Sequence, residues 1–185
     1  MLNIIAGSLS VGVTPSTSSY ESIATTTVGS GGTQSITFSS IPATYTHLQL
    51  RTSHATNNTT NIYFRINGST TAAEYGYHYI VGTGSGSASA ASDVSHVNTY
   101  LPLAYNSNPS NFTAGVFDFL DYTSTTKNKT IRGLYGQDNN GSGYIQFGSS
   151  LWINTAAITS LTILSTGGDY INQYSSFALY GIKGV

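Results

Sequence analysis

After Tyr20 the chain runs in short β-branched and aromatic stretches, broken about every ten to fifteen residues by clusters of Gly, Asn, Ser and Pro. Stretches of that length read as strands, and the 3.6-residue recurrence of an amphipathic helix is nearly absent. The qualifying segments are 20–28, 33–41, 45–54, 60–67, 75–81, 94–103, 112–121, 127–136, 144–153, 158–165 and 175–183. In 45–51, Tyr45, His47, Gln49 and Arg51 share one side while Thr46, Leu48 and Leu50 share the other, so Leu48 and Leu50 are expected to face the core. Ile62, Phe64 and Ile66 alternate with Tyr63, Arg65 and Asn67 in the same way.

Gly29-Ser30-Gly31-Gly32, Asn67-Gly68 and Asn139-Asn140-Gly141 lie between such runs. Residues that tolerate positive φ let antiparallel strands reverse tightly, so the pairing is expected to be mainly antiparallel. An Ala/Ser run from Ser87 to Asp93 follows Gly82-Thr83-Gly84-Ser85-Gly86 and is expected to be loop rather than helix. About ten alternating strands favour an all-β antiparallel sandwich, jelly-roll-like, with an up-and-down barrel as the alternative.

A length of 185 residues suits one hydrophobic core. Residues 1–19 stand apart from it: the apolar strip Leu2, Ile4, Ile5, Leu9, Val11 and Val13 precedes Thr14-Pro15-Ser16-Thr17-Ser18-Ser19, which has the composition of a flexible joint. They read as a short N-terminal docking arm and linker ahead of a sandwich domain at 20–185, with Leu2, Ile4, Ile5, Leu9 and Val11 as the partner-docking residues. A first strand or an unstructured terminus is the alternative. The strip lacks a basic start and a long unbroken apolar run, so neither a secretory signal nor a membrane span is expected, and synthesis is expected in a cytoplasm.

Charged residues make up 7% of the chain, against roughly a quarter in ordinary soluble domains. Solubility must come instead from hydroxyls and amides, and few carboxylates are left for acid/base chemistry. A net charge of −1 offers no attraction for nucleic acid or an anionic membrane, so neither is expected as a partner. Nearly neutral surfaces also associate more readily than strongly charged ones. With no cysteine, the fold uses neither disulfides nor thiolate metal sites.

The motifs that could carry chemistry read better as structure. Asp138, Asn140, Ser142 and Gly143 match the opening of a calcium loop, but the twelfth position is Ser149 rather than Glu and strand-like runs flank it, so a hairpin turn is expected. His47, His54, His78 and His96 have no metal-ligand spacing and are expected at the surface or in cross-strand pairs. Asp118 and Asp121 could form the carboxylate pair of a glycoside hydrolase. The favoured reading pairs Asp118 with a basic residue on the neighbouring strand and makes Asp121 a turn cap. A G-x-S-x-G elbow is absent, and the glycines of 82–86 lack phosphate-binding spacing. No catalytic residue, metal or cofactor is assigned. Asn-x-Ser/Thr sequons at Asn57, Asn111 and Asn128 are read as chance in a chain rich in Asn and Thr. Tyr75, Tyr77 and Tyr79 share one face of a strand, and Tyr100, Tyr105 and Trp152 are candidates to join them. Flat amphipathic rings suit a glycan or a subunit contact, and a ladder filling the half-buried side of a sheet or an interface is the structural alternative.

The stretches Tyr20–Gly32 and Ile36–Arg51, together with Lys129-Thr130-Ile131-Arg132-Gly133, Gly148-Ser149-Ser150-Leu151-Trp152 and Ser176–Gly184, resemble a widespread group of small tailed-bacteriophage virion proteins. The resemblance covers most of 20–185 and rests on structural signatures without chemistry. It implies a β-sandwich subunit, commonly a homotrimer, that decorates or cements a capsid or forms part of a tail fibre. On that reading the chain resides in the virion, is made in the cytoplasm of the bacterial host, and contacts itself and other virion proteins such as the major capsid protein. The alternative is a tail-fibre or head-fibre adhesin that binds a host surface glycan. A glycan-cleaving enzyme built on Asp118 and Asp121 ranks third.

Overall fold

A computed structural model describes residues 19–58, 60–71, 73–84, 88–96 and 110–184, with 94–96 described by backbone alone. The predicted docking residues Leu2, Ile4, Ile5, Leu9 and Val11, and the tyrosines Tyr100 and Tyr105, lie outside the described residues. Among the described residues there are eleven strands: β1 (Tyr20–Thr27), β2 (Ser35–Phe38), β3 (His47–His54), β4 (Ile62–Ile66), β5 (Tyr75–Gly82), β6 (Ala88–His96), β7 (Thr113–Phe119), β8 (Lys129–Asp138), β9 (Gly143–Trp152), β10 (Leu161–Ser165) and β11 (Ser176–Ile182). They form an antiparallel β-sandwich of unequal halves. The large sheet has the order β1-β11-β3-β7-β8-β9-β5-β6 and the small one β2-β10-β4.

Every strand pair is antiparallel. The chain alternates between sheets from β1 to β5, stays in the large sheet through β9, visits the small sheet once more at β10 and returns as β11 between β1 and β3. Asn139-Asn140-Gly141 therefore makes the expected hairpin, joining β8 to β9. The other two reversal clusters do something else: Gly29–Gly32 and Asn67-Gly68 carry the chain from one sheet to the other. Positive φ bends a chain sharply in either case, and only packing decides whether the next strand pairs beside the last or opposite it.

The core lies where the two inner faces meet. Period-2 alternation drives this directly, because Ile36 and Phe38 of β2, Ile62, Phe64 and Ile66 of β4, and Leu161 and Ile163 of β10 are all buried on one side of the small sheet. Opposite them the large sheet buries Leu48, Leu50, Phe117, Phe119, Ile131, Phe177 and Leu179. The predicted inward pointing of Leu48 and Leu50 is what the structure has. Phe64 sits at the centre, edge-on to Phe117 at 5.0 Å and to Phe119 at 5.6 Å between ring centroids. Such pairs stabilise by about 1 kcal/mol beyond their area burial.

One strand differs from expectation. The Ala/Ser run predicted as loop is most of β6, at 88–96, where 94–103 was expected to be the strand. Low β-propensity is overridden because β5 offers it a free hydrogen-bonding edge, and an edge strand needs backbone groups more than side chains. Of the two positions expected for the histidines, surface or cross-strand, His54 takes the second, opposite Thr113, and is fully buried and stacked on Phe177 at 5.6 Å.

Two polar groups pin the end of the sandwich opposite the β8–β9 hairpin. Lys129 is fully buried, and its ammonium donates to the carbonyls of Ser124 (2.7 Å), Lys127 (2.8 Å) and Thr155 (3.0 Å), tying the β7–β8 connection to the segment after β9. Glu74 accepts from the Ser69 hydroxyl, from Trp152 Nε1 (3.0 Å) and from Asn154 Nδ2 (3.4 Å). The Ser69 hydrogen bond, helped by Trp152 and Asn154, outweighs burial and holds the Glu74 carboxyl below the usual carboxylate range.

Replacing Lys129 by Met keeps an apolar stem but leaves three carbonyls without their donor. The Lys129→Met chain is expected to lose about 3 kcal/mol of unfolding free energy in urea titrations. Because Glu74 has a folded pKa below its unfolded value, its contribution is present in full above the ordinary value of 4.5 and is lost as pH falls through the depressed one. Urea unfolding of Glu74→Gln between pH 7 and pH 3, chosen as roughly bracketing that window, is expected to show a shallower acid-side loss of stability than the parent chain.

Candidate functional site

The two outer faces of the sandwich are chemically unlike. On the small sheet, Thr37 and Thr162 meet by their hydroxyls at 3.0 Å, and Ser35 and Arg65 share that polar surface. The large sheet's outer face is apolar across its middle.

Strand register builds this patch. Ile80 of β5 lies opposite Phe147 of β9, Phe147 opposite Leu134 of β8, Leu134 opposite Val116 of β7, and Val116 opposite Arg51 of β3. Four directly opposed apolar side chains thus form one row, exposed by 58, 47, 50 and 40% respectively. Ile145 extends it toward the β8–β9 hairpin, where its neighbours Gly82 and Gly136 leave it 60% exposed. Leu151 is also exposed but stands beyond Ser149, across the neighbouring polar row. Four strands about 4.8 Å apart and about four residues of roughly 3.4 Å rise give an apolar strip on the order of 250 Å², bounded on one side by the polar row through His78, Ser149, Arg132, Asp118 and Gln49. The largest apolar patch of a typical monomer is roughly 300–600 Å² and often functional, so the alignment of four side chains in one row, rather than the area, singles this strip out.

A polar row runs beside the apolar one. Gln49 donates to Asp118 Oδ1 at 2.9 Å, Arg132 reaches Asp118 Oδ2 at 3.4 Å, and Arg51 donates to Gln49 Oε1 at 2.8 Å. Arg51 also lies over the rings of Tyr20 (5.6 Å) and Tyr180 (5.1 Å), which attract its guanidinium. Asp118 offsets Arg132, while Arg51 keeps its positive charge and is held by Gln49 and the two rings, so the margin is directional and slightly cationic.

Asp118 therefore has the cross-strand basic partner expected of it. Asp121 has φ of 48° at the start of the β7–β8 turn, and its carbonyl accepts from Ser124 N at 2.9 Å. Its carboxylate pairs with Lys127 at 2.7 Å, which, with His47 nearby, holds it below the usual carboxylate range. Both carboxylates are thus engaged in ion pairs. Asp138 is engaged too, its Oδ1 accepting from Asn140 N at 2.7 Å within the hairpin. Among the described residues no three His, Cys, Asp or Glu side chains converge on a point that would hold a metal ion.

Tyr75, Tyr77 and Tyr79 do share a face, and it is the inner one. Tyr75 is fully buried, its hydroxyl accepts from Ile66 N at 3.0 Å, and burial pushes its phenol up to about 12. It is a core residue rather than a contact for glycan or subunit. Tyr77 is buried as well and stacks on half-buried Tyr79 at 5.7 Å. Trp152 is buried against Glu74. His78 is exposed on the outer face, and His47 accepts from Asp121 N at 2.9 Å.

No family model, curated protein or solved structure matches the chain. The surface chemistry must then speak for itself.

The residues of the outer patch, Val116, Leu134, Ile145, Phe147 and Ile80, were not singled out from the sequence, yet β9 carries a signal of them. Its inner parity is Tyr144, Gln146, Gly148, Ser150 and Trp152, while Ile145, Phe147 and Leu151 point outward. A strand whose more apolar side faces away from the core marks a surface meant to be covered.

The Asp118 pairs are partly exposed, and pairs of that kind stabilise little. Asp118→Asn is expected to cost about 1 kcal/mol or less in urea unfolding. A larger loss would show that the row supports the sheet rather than bordering the patch.

Proposed function

We propose that this chain is a structural subunit of a phage virion, a capsid decoration or cement protein that stabilises the particle through subunit contacts. The observation that carries the reading is the row Ile80, Phe147, Leu134 and Val116 on the outer face of the large sheet. Standard protein interfaces bury roughly 800 Å² per partner, and a strip on the order of 250 Å² supplies the apolar centre of one, with the polar row beside it as part of the rim. The low charge supports the same reading, since a chain with 7% charged residues meets a copy of itself at little electrostatic cost. The resemblance of its sequence stretches to tailed-phage virion proteins suggests the setting, a particle in which the chain itself and the major capsid protein would be the partners and a homotrimer the assembly.

A second reading, a tail-fibre or head-fibre adhesin, is favoured by the gathering of connections at one end of the sandwich. Register aligns Thr27, Ser176, Ser53, Ala114, Gly136, Ile145 and Gly82 along that end. The connections β1–β2, β3–β4, β8–β9 and β10–β11 therefore emerge at the same end, and a cleft of about 640 Å³ lined by Phe112, Gln137, Asp138 and Tyr144 lies at the β8–β9 hairpin beside Gly82–Gly84. Binding sites concentrate on such loop ends, carried by a rigid scaffold.

Light scattering over a range of protein concentrations tests the first reading. The parent chain is expected to self-associate, and Leu134→Asp with Phe147→Asp to return it to monomer at nearly unchanged melting temperature, because both side chains are half exposed in the isolated subunit. A parent chain that stays monomeric throughout sinks the proposal. Mass spectrometry of purified virions separates the two readings by copy number, high for decoration and low for an adhesin.

A further inference from the structure

We propose that a second cleft at the loop end, between Tyr170 and Tyr174, binds a neutral oligosaccharide. The cleft encloses about 400 Å³ and is lined by Gly31, Gly32, Asn57, Tyr170, Asn172, Gln173 and Tyr174. The inference deepens the adhesin reading by naming its site and sugar class, and it rests on that reading alone, not on self-association.

The first argument is what the lining contains. Tyr170 is 43% exposed and Tyr174 72%, so two aromatic faces are open to solvent beside amides. None of the seven residues carries a charge, which disfavours phosphate, sulfate or sialic acid as ligand. A purely apolar ligand would strand the amides unpaired. A pyranose offers what remains: a C–H face to lie on a tyrosine and hydroxyls to exchange donors and acceptors with Asn and Gln.

The second argument is rigidity. Three connections, β1–β2, β3–β4 and β10–β11, are locked together under the cleft by backbone hydrogen bonds. Thr33 and Ile171 exchange two of them, at 3.0 and 2.8 Å. Asn172 N donates to Ala55 O at 2.8 Å and Tyr174 N to Val28 O at 2.9 Å. Asn57 binds Tyr170 twice, donating its N–H to Tyr170 O at 3.0 Å and accepting from Tyr170 N on Oδ1 at 2.7 Å. Close approach is built in at Gly32, with φ of 71°, where a Cβ would come within 2.8 Å of Ile171 O. The side-chain amides of Asn172 and Gln173, by contrast, make no hydrogen bond with any described residue, so they are available to a ligand. A site whose frame is fixed before binding loses little entropy in capturing a flexible sugar.

The third argument is strain. Tyr174 has φ of 69°, a region that bulky side chains rarely occupy and that glycine enters freely. Its ring is largely in solvent and contributes no burial to offset that conformation. Strain retained at an exposed aromatic residue marks a position where the side chain, rather than the fold, is needed.

The test is binding of the full chain to an immobilised panel of neutral, sialylated and sulfated oligosaccharides, with the Tyr174→Gly and Gln173→Ala variants in parallel. The parent chain is expected to retain neutral glycans. Tyr174→Gly is expected to weaken that binding about tenfold while leaving the melting temperature unchanged or higher, since glycine relieves the backbone. Gln173→Ala is expected to weaken binding with no change in stability. Retention of charged glycans only, no retention of any neutral glycan, or neutral binding unchanged in both variants would each overturn the inference. A chain that self-associates in light scattering yet retains no glycan leaves the cement reading standing and removes this one.

Discussion

The packing of three strands over eight, centred on Phe64 between Phe117 and Phe119, is the constraint from which the rest of the molecule follows. A small sheet of three strands spans only about 14 Å, against nearly 40 Å for the large one at ordinary strand spacing. To build it, the chain must leave the large sheet three times, at β2, β4 and β10, and return each time. Those crossings throw the β1–β2, β3–β4 and β10–β11 connections to one end, where backbone hydrogen bonds lock them into a frame. Core packing and the loop-end clefts are thus consequences of one topology.

Scarcity of charge shapes how the polar groups are settled. Lys129 is buried among three carbonyls rather than opposite a carboxylate, and Glu74 is satisfied by a hydroxyl, an indole and an amide. Each is a hydrogen-bonded pin at a chain crossing or turn, not an ion pair. Ion pairs among the described residues lie at partly exposed margins: Asp118 with Arg132, Asp121 with Lys127, and Glu21 with Lys183. The large sheet's outer face is left free to be apolar, because solubility is carried by the hydroxyl-rich small sheet and by the loops.

The all-β class, the antiparallel pairing and most strand positions were legible in the sequence. Inward residues were legible wherever one parity is clearly the more apolar, as in Leu48 and Leu50 or Ile62, Phe64 and Ile66. Three features were not. β6 is made of Ala and Ser because an edge strand is recruited through its backbone, which leaves no apolar alternation to read. Gly29–Gly32 and Asn67-Gly68 announce reversals without saying which sheet receives the next strand. Tyr75 was legible as one of three tyrosines on a shared face, but which face that was depended on Trp152 and Ile66 coming to meet it.

The sequence by itself determined the period of the strands, the places where the chain turns and the near absence of charge, since each of these is a local property written in adjacent residues. Only tertiary structure decided that Phe147, Leu134, Val116 and Ile80 line up in one exposed row, and that Tyr170 and Tyr174 stand beside Asn57 and Gly32. Both are matters of register and of sheet assignment between segments far apart in the chain. Register is chosen by the total burial of a folded face, a quantity that no single stretch of sequence contains.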